Sequence, residues 1–79
     1  MNKNYLEVFD SKNTSIERPL HHATTPQEIR SWAIKEAHNA YKVVAYRIKG
    51  ANLSFNEYQK NSLGKIELTS WSYPNGITS

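Results

Sequence analysis

The amino-acid sequence predicts a small α+β fold, a mostly antiparallel sheet with one helix packed on one face, in the order ββαβββ. Three observations carry this expectation. The chain has 79 residues, room for one domain and one modest core. One segment, opening at Thr25, has a helix-capping signature followed by apolar residues at helical spacing. On either side of it, apolar residues alternate with polar ones at the period of two that strands require.

Tyr5-Leu6-Glu7-Val8-Phe9 sets Leu6 and Val8 against Tyr5, Glu7 and Phe9, and the turn-rich residues Asp10 to Ser15 then predict a hairpin. The return strand runs from Ser15 to His22, with Ile16 and Leu20 on one face. Pro19 removes a backbone donor there and makes it an edge or bulged strand. Thr25-Pro26-Gln27-Glu28 is a capping box with Thr25 as N-cap and Pro26 at the first helical position, so a helix over residues 26–39 follows. Ile29, Ala33, Ala37 and Ala40 form its stripe, small enough for close packing on a sheet, while Ser31, Lys35, His38 and Asn39 face water.

Between Lys42 and Lys49 the period returns to two, with Val44, Tyr46 and Ile48 alternating against Val43, Ala45, Arg47 and Lys49; Gly50-Ala51-Asn52 is the turn that ends the strand. Leu53-Ser54-Phe55-Asn56-Glu57-Tyr58 supports two readings. It alternates as a strand, followed by a turn from Lys60 to Gly64, and it also contains a second Ser-x-x-Glu capping box, which makes ββαβαβ the runner-up. Asn56, Asn61, Phe55 and Tyr58 are poor helix formers, which favours the strand. Residues 65–71 form the last strand, with Ile66 and Leu68 inward. Residues 1–3 and 74–79 are expected to fray.

The composition narrows the functional classes. A hydrophobic fraction of 38% and a mean hydropathy of −0.72 are low, yet two Trp, five Tyr and two Phe supply large core pieces. The absence of Cys suits a reducing compartment, and with no signal-like or membrane-spanning apolar run the expected location is the cytoplasm, without membrane partners. Net charge is +3, and the excess lies in residues 40–79, where Lys42, Arg47, Lys49, Lys60 and Lys65 face only Glu57 and Glu67.

Catalytic constellations are missing from the sequence. There is no Gly-x-Ser-x-Gly, no cysteine and no glycine-rich phosphate loop among three glycines, so no enzyme is expected. His21-His22 with His38 resembles a metal set only superficially, because adjacent strand residues point to opposite faces; no metal or cofactor is expected. Glu36, beside the apolar stripe, is expected to pair with a Lys at the stripe's edge.

Binding is the remaining class. Arg47, Lys49, Tyr58, Lys60, Lys65 and Trp71 are the expected partner-binding residues, carrying positive charge and rings on the sheet face turned away from the helix. A protein or host ribonucleoprotein complex fits that composition, and so does nucleic acid. An exposed edge strand could pair with a second copy in a homodimer.

The layout of a first strand at Tyr5 to Phe9, one helix, then a meander through Val43 to Ile48, Leu53-Ser54-Phe55 and Ile66-Glu67-Leu68 resembles that of small phage-encoded anti-CRISPR proteins, which it also matches in size and cysteine-free composition. The resemblance implies a non-enzymatic inhibitor of phage or mobile-element type, working in the host cytoplasm. It would dock on a bacterial defence nucleoprotein complex and block its nucleic-acid binding or nuclease recruitment. The alternative is a small nucleic-acid-binding accessory domain that uses the basic, aromatic second half.

Overall fold

The computed structural model describes residues 2–72. Its elements are β1 (Asn2–Ser11), β2 (Thr14–Leu20), α1 (Pro26–Ala37), β3 (Lys42–Lys49), β4 (Asn52–Lys60) and β5 (Ile66–Ser72). The strands form one antiparallel sheet in the order β2-β1-β3-β4-β5, with one helix, the α+β fold that the alternation and the capping box predict. Asn2 and Lys3, expected to fray, instead pair with Lys49 and Ile48. The 74–79 tail lies outside the described residues.

Local chemistry explains each boundary. β1 turns into β2 through Lys12 and Asn13, with a register shift between Phe9 and Ser11. Pro19 is tolerated because β2 is the sheet edge. At the start of α1, Thr25 Oγ1 accepts from the Glu28 N–H (3.2 Å), while the Glu28 carboxylate accepts from the Thr25 N–H (3.0 Å). Residues 53–60 are strand throughout. The backbone of β3 offers them a full ladder from Val43↔Tyr58 to Lys49↔Asn52, and Glu57 serves the sheet rather than a helix cap. The β4–β5 turn is organised by Asn61, whose Oδ1 accepts from Leu63 N–H (2.9 Å) and Lys65 N–H (3.0 Å), and by Gly64 at φ +80°.

The helix lies across β3, β4 and β1. Ile29, Ala33 and Ala37 are buried against Leu6, Val43, Ala45 and Tyr58, and Val8, Leu20, Ile34, Ala40 and Ile66 pack around them. Ala33 and Ala37 are fully covered, and the residues beneath include Ala45 and Val43; small side chains on both surfaces bring the helix close to the sheet. Asn4 is the one buried polar side chain among the described residues. Its amide donates to the carbonyls of His21 (3.2 Å), His22 (3.2 Å) and Thr24 (3.3 Å), fastening the loop that leads into α1. Glu36 pairs with Arg18 of β2, so the expected ion pair forms with an arginine across the sheet edge rather than with a lysine.

The register settles which face is which. Leu6 opposite Ala45 and Val43 opposite Tyr58 form two adjacent rows on one face under the helix, and Arg47 (opposite Asn4 and Ser54) continues the same face. Tyr5, Tyr46 and Phe55 occupy the other. Arg47, Lys49 and Tyr58 therefore belong to the helix side, contrary to the expectation that they lie on the uncovered face. The reason is steric: Val43 and Ala45 let Ala33 and Ala37 approach the sheet, whereas the alternative face of β3 would set the Tyr46 ring beneath the helix, so Tyr46 turns outward.

Candidate functional site

No described element packs on the face turned away from α1. Across it, a row of directly opposed residues runs Pro19, Tyr5, Tyr46 and Phe55, one from each of β2, β1, β3 and β4. The Tyr5 and Tyr46 rings stack with centroids 4.7 Å apart and planes 16° from parallel; Phe55 is tilted by 43° at 6.1 Å from Tyr46. Lys3 Nζ lies 4.8 Å from the centre of the Tyr5 ring, and Lys42 Nζ 4.6 Å from that of Phe9.

The adjacent row carries Glu17, Glu7, Val44 and Glu57. Glu7 accepts hydrogen bonds from Ser15 Oγ (2.7 Å) and from the Tyr46 hydroxyl (3.2 Å), and Glu57 accepts one from Thr69 Oγ1 (2.8 Å) and lies 3.6 Å from Lys42 Nζ. Burial, and then the charge and hydrogen bond of Glu7, push the Tyr46 hydroxyl up to about 12. Burial, Glu17 and Glu7 raise Tyr5 as well. Both phenols therefore stay neutral, and the face presents neutral ring surface beside hydrogen-bonded carboxylates. Among the described residues, no group of three or more His, Cys, Asp or Glu is placed to hold a metal; His21 and His22 stack on each other at 4.3 Å.

On the helix side, a cavity of about 330 Å³ opens between the first half of α1 and strands β3 and β4. Arg30, Arg47 and Lys49 line it, with Ile29 and Tyr58 among its apolar walls. Arg47 Nε is buried and has no hydrogen-bond partner. A second hollow of about 260 Å³, reaching the loop around Thr24, shares Pro26, Arg47 and Lys49 with the first.

The six residues expected to bind a partner are thus divided. Arg47 and Lys49 meet in the cavity, joined by Arg30. Tyr58 is 5% exposed and belongs to the core. Trp71, 41% exposed, lies opposite Asn56 on β5, beside the cavity. Lys60 is six residues along β4 from Ser54, about 20 Å away, and Lys65 is in the turn beyond it. Sequence reasoning missed Arg30, which sits within the helix pattern, and the Tyr5-Tyr46-Phe55 row. The signal for the row was present in Tyr5, Glu7 and Phe9 alternating against Leu6 and Val8, but only strand register brings these rings together.

No helix among the described residues is long and apolar enough to cross a membrane. No family model, curated protein or solved structure matches the chain.

Proposed function

We propose that this chain is a non-enzymatic binding protein that acts by occupying a surface of a larger protein or nucleoprotein complex, with the uncovered aromatic face as its docking surface. The observation that carries the reading is the row Tyr5, Tyr46 and Phe55, a contiguous set of rings rimmed by Lys3, Lys42, Glu7 and Glu57. Aromatic anchors surrounded by charged and polar groups are the composition of interface hot spots. The carboxylates in the next row oppose a bare phosphate backbone and favour a protein as the partner on this face. Taken with the resemblance to small anti-CRISPR proteins, the partner is a bacterial defence complex and the chain its stoichiometric inhibitor in the host cytoplasm.

The test is capture of defence nucleoprotein complexes from bacterial lysate by the immobilised chain, repeated with Tyr5→Ala and Phe55→Ala. Each substitution is expected to weaken capture by about thirtyfold, the effect of one anchor worth about 2 kcal/mol, with the thermal melt still cooperative. Capture that is unchanged by both substitutions rules out this face, and failure to retain any defence complex rules out the inhibitor assignment.

A further inference from the structure

The helix-side cavity is a second surface, across the sheet from the aromatic row though Phe55 borders both, and it carries cations without the carboxylates that stand beside the rings. Arg30, Arg47 and Lys49 bring three cations to one trough. Neither the cavity nor the hollow that continues it past Pro26 is lined by an Asp or a Glu. The acids near α1 are engaged elsewhere, Glu28 in the cap with Thr25 and Glu36 with Arg18. Among the described residues, the ion pairs are Arg18 with Glu36 and Lys42 with Glu57, and neither includes any of the three cations. Such a concentration of like charge is unfavourable in the isolated chain, and the buried, unpartnered Nε of Arg47 adds to the cost. Both are relieved by an anion in the trough.

The length of the trough and its surroundings identify the anion. The cavity and its continuation meet at Arg47 and Lys49, so the cations border an elongated path rather than one pocket. Asn52, Ser54 and Asn56 line the β4 side with neutral donors and acceptors. Trp71, opposite Asn56 and exposed, stands one strand farther, about 5 Å away, as a ring on which a base can stack. We infer that this trough binds single-stranded nucleic acid, its phosphates seated by Arg30, Arg47 and Lys49 and one base stacked on Trp71.

The test is fluorescence anisotropy of a labelled oligothymidylate of about twelve nucleotides, within the site sizes of small single-strand-binding folds. Three phosphate contacts predict a salt slope near −2, so affinity falls about eighteenfold between 50 and 200 mM salt. Arg30→Gln, at an exposed helix position, is expected to reduce that fall to about sevenfold, and Arg47→Gln to do the same. Trp71→Ala is expected to lose about tenfold in affinity with the salt slope unchanged, the signature of stacking rather than charge. Lys12→Gln, in the distant β1–β2 turn, is the control and leaves binding as it was. The inference is overturned if the oligonucleotide does not bind at 50 mM salt, if Lys12→Gln weakens binding as much as Arg30→Gln, or if inorganic phosphate competes so fully at millimolar concentration that the strand has no advantage over it. Equal affinity for a duplex of the same length, unaffected by Trp71→Ala, also overturns it.

Discussion

Tyr46 ties the aromatic face to the stability of the fold in a way that alkaline pH exposes. In the unfolded chain its phenol ionises near 10.0, whereas in the sheet burial and Glu7 hold the proton to about 12. Between those values the unfolded state binds fewer protons than the native state, so stability falls as pH rises through this window. At full strength the displacement from 10.0 to about 12 corresponds to about 2.7 kcal/mol, and because the ring lies on a water-facing surface, screening reduces it to about 1.4 kcal/mol. Tyr46→Phe removes both the ionisation and the 3.2 Å hydrogen bond to Glu7, whose loss costs about 1 kcal/mol at neutral pH. The variant is therefore less stable than the parent at neutral pH, and the gap closes or reverses by about pH 12. Urea melts followed by circular dichroism at successive pH values measure this directly, since the lysines titrate in both proteins and cancel in the difference. A stability difference that stays constant across the window would refute the coupling of Tyr46 to Glu7.

Three further outcomes follow from the packing and the caps. Leu6 is 1% exposed between α1 and the sheet, so Leu6→Ala should cost about 3 kcal/mol and lower the melting temperature by about 12 to 24 °C, as read by calorimetry. Thr25→Ala should cost about 1 kcal/mol in urea melts. Hydrogen bonds from Thr25, first its backbone N–H and then its hydroxyl, lower the Glu28 carboxyl, a contribution that is present above the ordinary carboxylate range and lost as pH falls through the lowered value; in the variant the acid-side decline is shallower. Gly64 has φ +80°, and nothing lies within 4 Å of where a Cβ would sit, so Gly64→Ala should cost about 1 kcal/mol in the same urea melts through backbone conformation alone, and Gly64→Asn less.

Much of the fold was legible before any coordinates. The capping box and Pro26 place the start of α1, alternation places β1 and β3, and Pro19 marks β2 as an edge or bulged strand, because each signal acts over a few neighbouring residues; in the sheet β2 is the edge. The segment around Phe55 was not decided locally, since Ser54-x-x-Glu57 supports a helix cap as well as alternation supports a strand. Pairing with β3 decided it.

The candidate surfaces were less legible. β3 is apolar at Val43 and Ala45 and also at Val44, Tyr46 and Ile48, so its periodicity alone leaves open which set meets the helix. That choice is made by the fit of Ala33 and Ala37 over Val43 and Ala45, a contact between elements. It moves Arg47 and Lys49 from the uncovered face to the helix side and turns Tyr46 outward to meet Tyr5 and Phe55. Arg30 joins Arg47 through the same docking. The sequence by itself determined the composition, the charge excess and most of the elements, because these depend on local chemistry. Tertiary structure alone decided which cations share a trough and which rings share a row, because those neighbours are distant in the chain and meet only through register and the seating of α1.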